Sequence, residues 1–156
     1  MTRRRPRVQV AIAGRGRCGR ATARIARTVG REVAAAGAIL VCGGRGGVMA
    51  AAAAGARAGG GIVVGILPSA DPRSGNPHLT VRVPTGLGHA RNALVAAAGD
   101  ALIALDGAFG TMSEVAFARV LGRPVVTLGA WRDLPGVVAV RTPREAVRTA
   151  LALARR

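Results

Sequence analysis

Runs of consecutive apolar residues alternate along this chain with longer segments whose apolar residues have helical spacing. Each run is short and apolar at successive positions, which is typical of strands buried on both faces of a parallel sheet. The runs predict strands at Val8–Ala13, Ile39–Cys42, Ile62–Leu67, Leu79–Val83, Ala101–Leu105, Val125–Leu128 and Val137–Val140. The segments between them predict helices that end near Ala36 and Ala58 or begin near His89, Thr111 and Thr142.

Strands that alternate with helices predict the α/β fold class, with a Rossmann-like, doubly wound parallel sheet and helices on both of its faces. A chain of 156 residues is expected to form a single domain. We assign residues 8–156 to that domain and residues 1–7, which include four Arg, to a basic N-terminal tail. Ligands bind such sheets at the carboxyl ends of the strands, so the turns after the strands form the candidate site.

Glycine-rich turns follow the first two predicted strands. Gly14–Gly19 matches the GxGxxG dinucleotide fingerprint, but the acidic residue expected ~20 positions later is missing, because the second strand runs into Gly43. We therefore discount NAD and retain only a phosphate-binding first turn. The second turn, Gly43–Gly47, has four glycines, which permit either tight packing of protein backbone or close approach of a ligand. It is not a Walker A loop, because the Gly-Lys-Ser/Thr ending is absent.

The stretch Ala101–Leu121 combines a buried strand, a turn with two glycines and the start of a helix. Unpaired N–H groups and the helix dipole favour an anion at such a junction. Asp106–Gly110 and Thr111 therefore form a candidate anion site. Glu114 follows near the fourth residue of the predicted helix, where a carboxylate ordinarily complements the dipole.

The basic residues change the picture in two ways. All 23 are Arg and none is Lys, which excludes Schiff-base chemistry and with it pyridoxal phosphate attachment. The net charge of +16 raises nucleic-acid binding as an alternative, supported by a row of arginines on one face of the first predicted helix: Arg20, Arg24, Arg27 and Arg31. With one Trp, two Phe and no Tyr, the chain offers few stacking platforms. A solvated helix face is the simpler interpretation, with weak, salt-dependent binding of polyanions.

The cysteines, the histidines and the lengths of the apolar runs bear on the cellular compartment, on metal binding and on membrane insertion. Cys18 and Cys42 are neither a disulfide framework nor a metal cluster, and we expect a cytoplasmic protein with reduced thiols. His78 and His89 are too far apart in sequence to suggest a metal pair, so no metal ligands are predicted. No run approaches the ~20 apolar residues that a membrane span requires.

Laid out in order, these turns resemble those of the LOG ("lonely guy") superfamily, long mislabelled as lysine decarboxylases. The resemblance rests on CGGRGGVMAAAAAGARAGG at Cys42–Gly60, on Arg91 and on AFGTMSE at Ala108–Glu114, and it covers nearly the whole chain. TGLGHARN at Thr85–Asn92 and GTMSEVAFA at Gly110–Ala118 are most similar to the branch of molybdenum cofactor carrier proteins. The missing Lys independently excludes a decarboxylase.

The resemblance implies a homodimer or homotetramer that binds a phosphorylated pterin, such as molybdopterin, or a nucleotide, with no cofactor required for catalysis. Together with the turns above, it gives these candidate binding residues: Gly14, Gly43, Gly44, Gly46, Gly47, Val48, Arg91, Asn92, Asp106, Gly107, Gly110, Thr111 and Glu114. The other branch contains phosphoribohydrolases, which release a base from a nucleoside 5′-monophosphate. In that alternative, Glu114 would stabilise the oxocarbenium-like charge or activate water, and Arg91 would position the phosphate.

Three departures from the hydrolase pattern bear on this choice. Asp106 stands at the first position of PGGxGTxxE and puts a negative charge beside the predicted phosphate, whereas Ala108 adds a methyl group where backbone should approach. Asn92 follows Arg91 where hydrolases have Lys. Asp106 has the alternative of accepting a hydrogen bond from a base, a pterin or a ribose. We interpret the chain as a binding protein nearer the carrier branch than the hydrolase branch.

Overall fold

The computed structural model describes residues 6–154, so most of the predicted basic tail and the last two residues lie outside the described part. Its strands are β1 (Gln9–Ala13), β2 (Ile39–Cys42), β3 (Ile62–Leu67), β4 (Val81–Pro84), β5 (Ala101–Ala104), β6 (Val125–Leu128) and β7 (Val137–Val140). Its α-helices are α1 (Arg20–Ala35), α2 (Gly47–Ala58), α3 (Asn92–Ala98), α4 (Phe109–Val120) and α5 (Pro143–Ala154).

The strands form one seven-stranded sheet in the order β4-β3-β2-β1-β5-β6-β7, and every pairing is parallel. The chain winds outward from β1 to β4 on one side, then returns to β5 and winds outward to β7 on the other. This confirms the predicted α/β, Rossmann-like, doubly wound fold. The winding reverses between β1 and β5, which pair directly, so the crevice at their carboxyl ends is where a ligand is expected.

Two apolar cores lie on opposite faces of the sheet. Helices α1, α2 and α5 cover one face, where Val29, Val48 and Val147 pack in a single cluster with strand residues such as Ile103. Helices α3 and α4 cover the other face with a smaller cluster that includes Val95 and Val115. Both faces of the central strands are therefore buried, as their continuous apolar runs predicted.

Several element boundaries differ from those predicted. The pairing of β4 begins at Val81 rather than Leu79, because Leu79 instead packs under Gly65 and Gly75 in the core. Helix α4 begins at Phe109, two residues before Thr111. Glu114 consequently lies in the second turn of α4 and not at its dipolar end. None of the described helices combines the length and apolar character that crossing a membrane requires.

Candidate functional site

A cavity of about 550 Å³ opens at the carboxyl edge of the sheet, within the roughly 300–1,000 Å³ typical of ligand pockets. It lies over the switch point, between the turns that follow β1, β2 and β5 and the segment that precedes α3. The lining side chains include four arginines and one carboxyl group: Arg15, Arg17, Arg45, Arg91 and Glu114. Its electrostatic character is therefore strongly positive.

The peptide groups of Arg15 join three of these turns. Its N–H donates to the carbonyl of Asp106 (3.0 Å), which fixes the β5–α4 turn, and its carbonyl accepts from the N–H of Val48 (2.9 Å) at the start of α2. The polar loop after β3 is also tied in, because the Asn76 amide donates to the carbonyl of Arg45 (3.0 Å). The walls of the cavity are thus held together by the protein's own hydrogen bonds.

The four glycines of Gly43–Gly47 each have a protein neighbour that a side chain would displace. A Cβ at Gly43 would lie 2.6 Å from Nη2 of Arg91, and a Cβ at Gly46 would lie 3.0 Å from the carbonyl oxygen of Gly16. Gly44 abuts Leu67 and Gly47 abuts the backbone of Arg15. Close packing of protein on protein therefore accounts for this glycine-rich turn.

Arg91 forms part of the cavity floor and is largely buried, with 6% of its surface exposed. Its Nε donates to the carbonyl of Ile66 at the end of β3 (2.8 Å), and Nη2 donates to the carbonyl of Gly43 after β2 (3.2 Å). Burial lowers the pKa of Arg91, and the nearby Glu114 counteracts part of this effect. Arg91 ties the ends of two neighbouring strands to the start of α3, so much of its hydrogen-bonding capacity serves the protein.

Asn92 extends this network to α4. Its Oδ1 accepts from Nη1 of Arg91, and its Nδ2 donates to the hydroxyl of Ser113 (2.9 Å). The Ser113 hydroxyl in turn donates to the carbonyl of Gly110 (2.7 Å). A Lys at position 92 could not make the first of these bonds, because an ammonium group has no acceptor. The departure from the hydrolase pattern therefore joins α3 to the first turn of α4.

Glu114 lines the same cavity, with 6% of its surface exposed. Its carboxyl oxygens make no hydrogen bond or ion pair with any residue of the described part of the chain. Burial raises the pKa of Glu114 to about 8, although the charge of Arg91 opposes the shift. At neutral pH the group is mostly protonated, so it offers the cavity an O–H donor. The ordinary interpretation, a solvated acid in a first helical turn, does not fit this position.

The start of α4 forms another part of the wall. Gly110 and Thr111 line the cavity, and the first N–H groups of a helix have no partners within it. A Cβ at Gly107 would collide with the Thr111 side chain, so Gly107 sets the position of that hydroxyl. Asp106 is not among the lining residues, but its carboxylate lies 3.6 Å from Nε of Arg15, which does line the cavity.

The structure thus separates the residues predicted from sequence into two sets. Those that line the cavity are Gly14, Arg91, Asn92, Gly110, Thr111 and Glu114. Those that lie behind it, or on its rim, are Gly43, Gly44, Gly46, Gly47, Val48, Asp106 and Gly107. Lining residues that sequence reasoning missed are Arg15, Arg17, Arg45, Gly16, Met49, Pro68, Gly88, His89 and Ala108. The three arginines had a signal in the sequence, because each lies in a glycine-rich turn that follows a strand. Arg15 and Arg45 have a glycine on both sides, whereas Arg17 has a glycine on one side and Cys18 on the other.

The two cysteines take no visible part in this chemistry. Cys42 ends β2 and is fully buried, and burial raises the pKa of its thiol to about 11. A thiol that stays protonated is a poor nucleophile. Cys18 is half-buried in the β1–α1 turn.

A family model matches residues 7–151, which is nearly the whole chain. The chain belongs to the SLOG cluster4 family. This confirms the resemblance to the LOG superfamily that the glycine-rich turns suggested. The SLOG cluster4 chain is also 40% identical over 140 residues to an uncharacterized protein of Archaeoglobus fulgidus, covering 90% of this chain and 92% of that one.

Among the solved structures similar to this SLOG cluster4 protein are molybdenum cofactor proteins, as the sequence predicted. The molybdenum cofactor binding protein of Rippkaea orientalis has a TM-score of 0.85 and 29% identity, over 97% of this chain and 98% of that chain. The molybdenum cofactor carrier protein of Chlamydomonas reinhardtii has a TM-score of 0.84 and 28% identity, over 97% and 100% of the two chains. Each comparison covers at least 98% of the solved chain, so the single-domain architecture is shared.

Proposed function

We propose that this protein binds a phosphorylated pterin or nucleotide and acts as a carrier, with the molybdenum cofactor as the ligand suggested by its structural neighbours. The observation that carries the proposal is the cavity at the switch point, which combines four arginines with a single carboxyl group. A pocket of this size and sign suits a small organic ligand with an anionic end. Its walls are fixed by the hydrogen bonds of Arg15 and Arg91, so little reorganisation is needed on binding.

In this proposal the phosphate lies against the first turn of α4. The N–H groups there and the helix dipole favour an anion, and the Thr111 hydroxyl is held in place by contact with Gly107. Arg91 contributes positive charge from the cavity floor. Three of its guanidinium N–H groups donate to Ile66, Gly43 and Asn92, and the others can donate to the phosphate. Ala108 lies at the edge of this turn, in an extended conformation.

Glu114 would contact the uncharged part of the ligand. As a protonated acid at neutral pH, it can donate a hydrogen bond to a ring nitrogen or carbonyl of a pterin or purine. A neutral carboxyl group also avoids repelling the ligand's phosphate, which an ionised Glu114 would do. The raised pKa therefore suits binding of an anion in the same cavity.

We also infer that the protein is a homo-oligomer. Helix α4 exposes apolar side chains from its first residue to its last, with Phe109 and Val120 exposed by 86% and 83%. Met112, Phe117 and, on α3, Leu94 extend this surface, which we call the α4 face. A second copy of the chain could cover it by two-fold symmetry.

We further propose that the protein is cytoplasmic. Both of its cysteines are free, and reduced thiols are typical of that compartment.

The test is retention of the ligand by purified protein. Apo-protein is mixed under anaerobic conditions with molybdenum cofactor released from a molybdoenzyme, and the pterin that co-elutes on gel filtration is quantified by fluorescence. Thr111→Val removes the hydroxyl but keeps the shape, and we expect it to weaken binding about tenfold. Thr149→Val on α5 makes the same change away from the cavity and should bind normally. The proposal fails if the wild-type protein retains neither this pterin nor any nucleotide.

A phosphoribohydrolase is the second candidate, because Arg91 and Glu114 line the same cavity. With a pKa of about 8, Glu114 would act on the leaving base as an acid at neutral pH more readily than as a base on water. Base release from a panel of nucleoside 5′-monophosphates, followed by chromatography, separates the two functions. Release by the wild-type protein that disappears in Glu114→Gln would establish the hydrolase and displace the carrier.

A further inference from the structure

Three exposed arginines line one side of the cavity and have no part in the network around Arg91. Arg15 and Arg17 belong to the turn between β1 and α1, and Arg45 belongs to the turn between β2 and α2. Their side chains lie at the mouth, whereas the start of α4 belongs to a different turn, after β5. They are therefore additional to the proposed phosphate site on α4.

The backbone forces these arginines together. The Val48 N–H donates to the Arg15 carbonyl (2.9 Å) across the two turns. Gly47 adopts a left-handed conformation (φ +58°) in contact with the Arg15–Arg17 backbone, where any larger residue would collide. The two turns consequently cannot separate without losing this packing. The backbones that carry Arg17 and Arg45 are therefore held next to each other on one rim of the cavity.

The charges on this rim are only partly compensated. Asp106 lies 3.6 Å from Nε of Arg15 and forms an ion pair with it. Among residues 6–154, Arg17 and Arg45 have no carboxylate oxygen within ion-pair distance. Their nearest acidic neighbour in the cavity lining is Glu114, which belongs to α4 and is buried. Two neighbouring positive charges without a counterion favour binding of an anion.

We propose that Arg17 and Arg45 form a second anion subsite, so that the preferred ligand carries two anionic groups, as a nucleoside diphosphate or a pyrophosphate-linked nucleotide does. This inference rests on the proposed binding of a phosphorylated ligand in the cavity. One phosphate lies at the start of α4, and the second is held by the guanidinium groups on the rim. Asp106 keeps Arg15 occupied and confines the second group to the other two arginines.

The experiment compares GMP with GDP by isothermal titration calorimetry, because guanine shares its 2-amino-4-oxo-pyrimidine ring with pterins. In the wild-type protein we expect GDP to bind at least about tenfold more tightly than GMP. In the double variant Arg17→Gln/Arg45→Gln this ratio should fall close to one, because the affinity for GDP should fall by about tenfold more than the affinity for GMP. The matched control, Arg24→Gln/Arg31→Gln, removes the same charge from the exposed face of α1 and should keep the ratio.

The outcomes separate this inference from the proposed function. GMP and GDP binding equally in the wild-type protein would overturn the second subsite and leave the phosphate site intact. A ratio lost equally in both double variants would also overturn it, because long-range charge would then explain the effect. If neither nucleotide binds, the second subsite is overturned, and retention of molybdopterin then decides the proposed function separately.

Discussion

Burial of the Glu114 carboxyl makes the stability of the folded chain depend on pH. The folded state keeps its proton up to a pKa of about 8, whereas the unfolded chain loses it near the ordinary value of 4.5. Between these values the folded state binds more protons than the unfolded state. The free energy of unfolding therefore falls as pH rises through this window, and the loss is complete above the folded pKa.

Glu114→Gln removes this dependence, because an amide does not ionise. We expect the variant to gain stability relative to the wild-type protein as pH rises from 5 to 8, by up to about 1.4 kcal/mol per pH unit. Urea denaturation at several pH values measures the difference. Ser113→Ala changes a neighbouring polar side chain without a titrating group, and its stability difference should be the same at each pH. Parallel curves for Glu114→Gln and the wild-type protein would show that the carboxyl is ionised in the folded state.

The sequence identified Glu114 and Arg91 as site residues, but it could not show which groups surround their side chains. Arg91 is one of 23 basic residues that are all Arg, and its burial depends on carbonyl groups from β2 and β3, which are far away in sequence. Glu114 was predicted in the first turn of the helix but lies in the second, because α4 begins two residues earlier than predicted. Side-chain environment depends on where helices start, which is the least certain feature of a sequence pattern.

Helices α1 and α2 contact each other backbone to backbone. Gly30 of α1 lies against the carbonyl of Ala52, and Gly55 of α2 lies against the carbonyl of Arg27, so each glycine faces the other helix without a side chain between. The Ala-rich sequence of α2 is explained by this packing within one chain. This close contact brings the starts of the two helices, and hence the rim arginines, into one surface.

Alanine at either glycine should therefore destabilise the fold. Gly→Ala inside a helix ordinarily raises stability, but here the added methyl would collide with a carbonyl of the other helix. We expect Gly30→Ala and Gly55→Ala each to lower the free energy of unfolding by about 1–3 kcal/mol. The double variant should cost less than the sum, because the first substitution already separates the helices. Thermal and urea unfolding measure these values.

Gly110→Ala provides the control for stability in that series. It is also a helical glycine, but a Cβ there meets no other atom within 4 Å. It should leave the free energy of unfolding unchanged or raise it by up to about 1 kcal/mol. Equal effects of all three substitutions would mean that the α1–α2 contact is looser than described.

The elements themselves were largely predictable, whereas their contacts were not. Continuous apolar runs gave β2, β3, β6 and β7 their correct bounds. For strands inside the sheet the reason is burial on both faces, whereas the edge strand β7 is apolar although two of its residues are exposed. The start of β4 differs from the prediction because Leu79 packs in the core instead of pairing with β3. The glycine-rich turns pointed to the correct edge of the sheet, yet the sequence could not show that Gly43–Gly47 packs on protein, since its neighbours come from three other segments.

The whole molecule combines a high positive charge with an apolar surface on α4. The net charge is +16, and the arginines of α1 are exposed: Arg20, Arg24, Arg27 and Arg31. Two copies of the chain repel each other at long range, so any self-association must come from short-range apolar contact. The α4 face, defined above, supplies such a contact and has no acidic residue among its exposed side chains.

Salt distinguishes self-association through the α4 face from binding of polyanions. Added salt screens the repulsion between copies, since the Debye length shrinks from about 30 Å at 0.01 M to about 8 Å at 0.15 M, so we expect the oligomer to strengthen. Binding to nucleic acid weakens under the same change, because counterions are no longer released as favourably. Sedimentation velocity over a concentration series at both ionic strengths measures the first effect.

Phe117→Glu tests whether the α4 face is the contact. A carboxylate buried between two copies would lose its hydration without a partner, so this variant should sediment as a monomer at concentrations where the wild-type protein associates. Val138→Glu on β7 places the same charge at a site of equal exposure, 40% in both cases, and should leave the oligomer intact. A wild-type protein that is monomeric at both ionic strengths, or Phe117→Glu that associates normally, would contradict the inferred assembly. Because Phe109 and Gly110 are adjacent at the start of α4, an oligomer built on this face would also place each cavity next to the subunit boundary.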